Sequence, residues 1–176
     1  EAALQKYALK GVEFSYVKVG DIKTYQTTNE GKNSVEVVYQ VPDKLATILS
    51  LTNPVTTMDS KKCYTSDAIN QALSKALETN TATKNKLETY ASENAKAMPL
   101  TNEIGASTVT GLDLGLYLFV ETKVPENVEY TTDPFFVSLP STDVEGKDWF
   151  YDLEVYPKNQ TTTPLLDKVV SENGTY

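Results

Sequence analysis

Residues 116–122, LYLFVET, decide the fold class of this chain. The segment is rich in β-branched, aromatic and other large apolar residues, and no proline or glycine interrupts it, so it predicts a β-strand. In a strand successive side chains alternate between the two faces, which places Leu116, Leu118 and Val120 on one face and Phe119 with Glu121 on the other. The pattern therefore predicts a strong strand that carries a carboxyl group beside an aromatic ring.

Similar patterns occur on both sides of this strand. Further strands are predicted at 10–19, 34–41, 106–110, 134–140 and 148–156, where β-branched and aromatic residues concentrate between turn residues. The last of these, DWFYDLEVY, reads as one continuous strand. Residues 52–62, between the first strands and the helical region, read as a loop.

The middle of the chain is helical in pattern. The clearest helix is predicted at 64–78, with Thr65 or Ser66 as its N-cap, and a second helix is predicted at 83–95. A short helix is expected after Pro42. The first helix carries an apolar stripe of Ile69, Leu73, Ala76 and Leu77. Strands, helices and strands in this order predict a mainly β fold, an immunoglobulin-like (CnaB-like) β-sandwich with an inserted helical segment at about 64–97.

Composition excludes several kinds of function. The 176 residues carry a net charge of −8, with sixteen lysines and neither arginine nor histidine, which argues against nucleic-acid binding. Without histidine there is no Ser-His or Cys-His pair and no His metal ligand. The single cysteine, Cys63, is expected in a loop or at a helix start, without a catalytic role. We expect no cofactor, no metal and no catalytic turnover.

Three segments are expected along the chain. Residues 1–159 form one domain, the polar stretch 160–164 (QTTTP) is a linker, and 165–176 begins a second, truncated domain. No run approaches the ~18 apolar residues of a membrane span, and no signal peptide opens the sequence. Because Glu1 begins abruptly and Tyr176 ends within what reads as a new segment, we expect a piece of a longer protein.

Several of these motifs together resemble the N-terminal domain of a major (backbone) pilin from the sortase-assembled pili of Gram-positive bacteria. The resemblance rests on GLYLFVETKVPENV (115–128), DPFFVSLP (133–140) and DWFYDLEVYPKNQ (148–160), and extends to GVEFSYVKVGDI (11–22) and YTSDAINQAL (64–73). It implies a secreted structural subunit of a cell-wall-anchored pilus. The implied partners are a pilus sortase and neighbouring pilin subunits, with no nucleic acid or membrane.

The resemblance also assigns a pilin motif, Tyr156, Pro157, Lys158 and Asn159. Lys158 matches the lysine whose ε-amine accepts the preceding subunit from the sortase. An adhesin-type tip or base pilin that binds a host surface or matrix ligand is the alternative. A tip subunit does not need an acceptor lysine of this type, so the motif favours the backbone role.

The LYLFVET strand is similar to the E-box of pilin and adhesin domains. The resemblance implies that Glu121 promotes an internal bond between a first-strand lysine and an asparagine, for which Asn159 is the candidate. Only Lys6 and Lys10 precede the GVEF segment (11–14), and neither is as far upstream as the usual bond-forming lysine, so either the partner lysine lies before Glu1 or this domain has no such bond. The alternative is an ordinary hydrogen-bonded strand carboxylate. In either case the neighbouring aromatic residue should raise the pKa of Glu121. Lys168 resembles the bond-forming lysine of the next domain and is expected to be free here.

Overall fold

The computed structural model describes residues 10–126, 132–139, 141–142, 149–150 and 153–155. Its helices are α1 (Asp43–Ile48), α2 (Ser66–Thr79) and α3 (Thr83–Ser92). Its strands are β1 (Glu13–Gly20), β2 (Ile22–Asn29), β3 (Lys32–Gln40), β4 (Thr56–Met58), β5 (Lys61–Tyr64), β6 (Lys96–Ala97), β7 (Ser107–Val109), β8 (Gly115–Lys123), β9 (Phe135–Leu139), β10 (Ser141–Thr142), β11 (Trp149–Phe150) and β12 (Leu153–Val155).

The strands form two antiparallel four-stranded sheets and two smaller pairs. One large sheet has the order β6-β1-β8-β9, and the other has the order β2-β3-β5-β4. The smaller pairs are β10–β11 and β12–β7. Helices α2 and α3 are inserted between β5 and β6. The prediction of a mainly β sandwich with a helical insertion is therefore confirmed.

Strand β8 is an inner strand of its sheet, between β1 and β9. Leu116, Leu118 and Val120 belong to a core shared with the three helices and the second sheet. Tyr117 and Phe119, on the opposite face, belong to a separate core with β1 and β9. The predicted division of β8 into two faces is confirmed, and both faces are buried over most of the strand.

Helix α2 has the start and the buried face that its sequence predicts. The Thr65 side chain accepts a hydrogen bond from the backbone N–H of Ala68 at 3.2 Å, which satisfies one of the free donors of the first turn. Ile69, Leu73 and Ala76 are buried, and Leu77 is partly buried against the same core. The second helix ends at Ser92 rather than at residue 95.

Two strand regions were not predicted correctly. The stretch 52–62 contains β4 and the start of β5 rather than a continuous loop, and Cys63 lies buried in β5 rather than in a loop or at a helix start. Strand β2 was not predicted at all. These strands are short or polar, so they show little apolar alternation. Strands β2 and β5 pair with β3, and β4 pairs with β5, and hydrophobic patterns within each strand do not reveal these pairings.

The predicted strand over 148–156 is divided in the structure. Strand β11 pairs with β10, whereas β12 pairs with β7. One segment therefore contributes to two separate pairings instead of one continuous ladder. The proposed linker 160–164 and the proposed second-domain strand 165–176 lie outside the described residues, so both stay predictions.

Candidate functional site

The pilin motif lies just beyond a described strand. Residues Tyr156 to Asn159, and Lys168 further on, are outside the described residues. The strand that leads to them, β12, is held in antiparallel register with β7, with Leu153 opposite Val109 and Val155 opposite Ser107. In sequence Lys158 follows the end of this strand by three residues, with Pro157 preceding it. Proline has no N–H group with which to continue a ladder.

Glu121 is fully described and occupies a half-buried position near the end of β8. Its partner across the β1–β8 ladder is Phe14, and the alternation along β8 places it on the same face as Phe119. Its Oε2 accepts a hydrogen bond from the backbone N–H of Thr132 at 3.2 Å. The carboxyl group therefore lies between aromatic side chains and the backbone that leads into β9.

Electrostatics at Glu121 follow from this environment. Burial raises the pKa of Glu121 above its ordinary value, and the hydrogen bonds from Thr132 and the positive charge of Lys84 oppose that rise. Desolvation is the largest effect because a half-buried carboxylate has lost part of its hydration, and the negative charge of Glu88 raises the pKa further. The predicted direction of the pKa shift is thus found in the structure.

The aromatic side chains on this face form a continuous cluster. Phe119 stacks on Phe135 with ring centroids 5.3 Å apart and an interplanar angle of 10°. Phe14 meets Phe135 edge-on at 5.9 Å, and Tyr16 stacks on Phe119 at 5.7 Å. Such offset and edge-on geometries are the favoured ones for aromatic pairs. Phe14 is the member of this cluster that lies opposite Glu121 in the β1–β8 ladder.

A β-bulge separates Glu121 from a second carboxyl group. The register shifts between Glu13 and Phe14, so that Thr122 is the extra residue of β8. The hydroxyl of Thr122 lies 2.7 Å from Oε1 of Glu13, and Lys123 Nζ lies 3.5 Å from its Oε2. Because Glu13 and Phe14 are adjacent in β1, Glu13 lies on the sheet face opposite to Glu121. The two acids therefore do not form a catalytic pair.

The first-strand lysines are engaged elsewhere. Lys10 forms an ion pair with Glu103, and Lys18 Nζ lies 2.9 Å from a carboxylate oxygen of Asp21. Lys6 lies outside the described residues. The lysine whose charge acts on Glu121 is Lys84, in the first turn of α3. Sequence reasoning missed it because a helix that packs against a distant strand leaves no local signal.

The described part of the chain offers neither a metal-binding cluster nor a membrane-spanning helix. Among these residues no group of three or more His, Cys, Asp or Glu side chains is arranged to hold a metal ion. Within the same residues no helix has the length and apolar character needed to cross a membrane.

Comparisons with known proteins identify a family of pilin subunits. The family described as Gram-positive pilin subunit D1, N-terminal domain, matches residues 47–160, which is well over half of the chain and includes the pilin motif. The chain is also similar to a protein named fimbrial subunit type 2 of Actinomyces naeslundii, at 32% identity over 77 residues.

That alignment covers 42% of this chain and 14% of the relative, so the chain spans a small part of the curated protein it matches. No solved structure matches the chain significantly. With well over half of its length matched, the chain belongs to the family of N-terminal D1 domains of Gram-positive pilin subunits, which are structural components of extracellular surface pili.

Proposed function

We propose that this domain belongs to a backbone pilin that is polymerised covalently, with Lys158 as the acceptor in the sortase reaction. The observation that carries the proposal is the motif Tyr156-Pro157-Lys158-Asn159, which follows β12 directly and lies inside the family match. The proposed partners are a pilus sortase and neighbouring pilin subunits. The complete protein would be secreted and anchored to the cell wall.

The proposed chemistry is an acyl transfer to an amine. The sortase holds the preceding subunit as a thioester on its own cysteine. The Lys158 ε-amine attacks the thioester carbonyl, the C–N bond forms, the C–S bond breaks, and the amine proton leaves with the thiolate. A free lysine has a pKa of about 10.4 and is mostly protonated at neutral pH. The sortase or the local environment must therefore remove a proton before attack.

A backbone role is favoured over the adhesin alternative. A subunit in the shaft must be both a donor and an acceptor, so it needs an accessible lysine at a fixed place. A tip subunit does not need one. Because an adhesin at the tip needs no acceptor lysine, the presence of the motif supports a role as a shaft subunit.

The test is polymerisation with the cognate pilus sortase. The chain is incubated with the sortase and a donor that carries the sorting motif, and covalent products are separated on a denaturing gel. Wild type is expected to form the product, and Lys158→Ala is expected to lose it, because alanine has no nucleophile. Lys168→Ala is the matched control, a lysine ten positions further along, and should react like wild type.

For Glu121 we propose the ordinary role, in which the carboxyl group fastens the backbone at Thr132 to β8 and forms no bond between Lys and Asn159. Two contacts support this role. Phe14, and not a lysine, is the β1 residue opposite Glu121, and Lys10 is paired with Glu103. Lys168 is proposed to serve the domain that follows.

A further inference from the structure

The β2–β3 hairpin projects beyond the rest of the sheet. Strand β3 pairs with β2 along eight positions, from Tyr39 to Lys32, but pairs with β5 only at Tyr39 and Gln40. Residues 24–37 therefore form a two-stranded ribbon, with no other described strand beside it. Every residue from 31 to 37 is exposed.

One face of this ribbon is exposed along its whole length and carries no charge. Residues that lie opposite each other in an antiparallel pair share a face. From the register, this face, here called the neutral face, consists of Thr24, Gln26, Thr28, Asn33, Val35 and Val37. All six are exposed, and Val35 and Val37 are 61% and 48% exposed. The other face carries charged residues, with Lys23 opposite Val38 and Glu36 opposite Tyr25.

The ribbon is ordered by its own bonds rather than by a core. Glu30 and Gly31 have φ of 52° and 77°, the left-handed values of a two-residue type I′ turn. Thr27 and Ser34 hydroxyls are 2.6 Å apart, and Thr28 donates to Asn33 at 2.8 Å. A surface that is already formed loses little conformational entropy when it binds.

We propose that the neutral face packs against the same face of a second copy of this chain, and so makes lateral contacts between pilus fibres. This inference rests on the proposed function, because it requires a polymer. Two identical chains of net charge −8 repel each other over most of their surfaces, whereas the neutral face adds no repulsion. Side chains of Val, Thr, Asn and Gln on one strand face can interdigitate with the same side chains of an identical face.

The size of the face explains why the contact needs a polymer. A stable interface uses about 20–30 residues a side, and the neutral face has six. A single contact is therefore weak. Along a fibre the face recurs in every subunit, and linked weak contacts can gain about 10²–10⁴ in overall affinity.

The test displays the chain at high density on beads, attached through a biotin at its amino terminus, and needs no sortase. Clustering is followed by light scattering while salt is raised from about 0.01 M to about 1 M, over which the Debye length falls from ~30 Å to ~3 Å. Wild-type beads are expected to cluster more as salt increases. Salt screens the repulsion between acidic chains but leaves the contact between neutral faces, which does not depend on charge.

Three double variants separate the face from general charge effects. Val35→Lys/Val37→Lys should reduce clustering about tenfold or more, because weakening every neutral-face contact removes the affinity that many linked contacts provide. Val35→Thr/Val37→Thr keeps the branched shape and β propensity, and should cluster less than wild type. Val55→Lys/Val124→Lys adds the same two charges at exposed valines elsewhere and should cluster at least as well as wild type. Circular dichroism verifies that each variant is folded.

Opposite results would overturn the inference. Wild-type beads that stay dispersed at every salt concentration, equal loss in the Val55 and Val124 control, or clustering that requires an added second protein would each show that the face does not bind itself. Failure of the proposed function is distinguishable, because the wild-type chain would then give no sortase product at Lys158. Val35→Lys/Val37→Lys should still give that product in full.

Discussion

Phe14 lies directly opposite Glu121 in the β1–β8 ladder. This relationship places an aromatic ring, and not a lysine, on β1 directly beside the half-buried carboxyl group. Burial accordingly raises the pKa of Glu121, while Thr132 supplies its hydrogen bond. The end of β8 therefore holds the segment that leads into β9 through the hydrogen bond from Thr132 to Glu121.

The first prediction concerns pH and Glu121→Gln. A carboxyl whose folded pKa is raised binds its proton more tightly in the folded state, so stability is greatest below its unfolded pKa and decreases as pH rises towards the folded pKa. Glutamine has no such loss and can still accept from Thr132. The melting temperature of Glu121→Gln minus that of wild type should increase between about pH 4 and pH 7.

Glu36→Gln, on the exposed hairpin, is the control for that series. Its difference from wild type should change less over the same range. If the melting temperature of Glu121→Gln runs parallel to that of wild type across this pH range, burial does not raise the pKa of Glu121.

The second prediction is the intact mass. Each internal Lys–Asn bond releases one ammonia and lowers the mass by about 17 Da. Because Phe14 faces Glu121 and Lys10 is paired with Glu103, we expect mass spectrometry to give the full sequence mass. A deficit of about 17 Da would establish an internal bond and reverse the proposed role of Glu121.

The sequence was informative where a local pattern determined the structure. The alternation of LYLFVET predicted both faces of β8, and the apolar stripe with Thr65 predicted α2 and its cap. The raised pKa of Glu121 also followed from its aromatic neighbours. These features depend on residues within a few positions of each other in the chain.

Features that depend on a partner strand or on a contact distant in sequence were missed. Strand β2 is polar and is a strand because β3 pairs with it. Thr132, just before β9, donates a hydrogen bond to Glu121, and the charge of Lys84 acts on Glu121 because α3 packs against β8. Cys63 is buried because β5 joins β3 and β4. None of these partners can be inferred from periodicity.

The third prediction compares two leucines of α2. Leu73 is fully buried, and Leu77 is only partly buried against the same core. Leu73→Ala should lower the free energy of unfolding by about 2–5 kcal/mol, the usual cost of lost burial and a residual cavity. Leu77→Ala should cost clearly less. Urea denaturation measures both, and equal costs would contradict the described packing of α2.

The fourth prediction concerns close backbone approach at Gly20. A Cβ atom at this position would lie 1.7 Å from the carbonyl oxygen of Gln40, so β1 and β3 would have to separate. Gly20→Ala should therefore cost about 3 kcal/mol. Gly111→Ala is the control: its Cβ meets no atom within 4 Å, and its φ of +70° alone should cost about 1 kcal/mol. Thermal melting that ranks them in the reverse order would disprove the contact.

The central claim is the acceptor role of Lys158, and peptide mapping of the sortase product tests it most directly. Wild-type product is digested, and the cross-linked peptide is located by tandem mass spectrometry. The account predicts that the donor's carboxyl end is joined to Nζ of Lys158. A cross-link found at another lysine, or a product that forms equally well from Lys158→Ala, would contradict it.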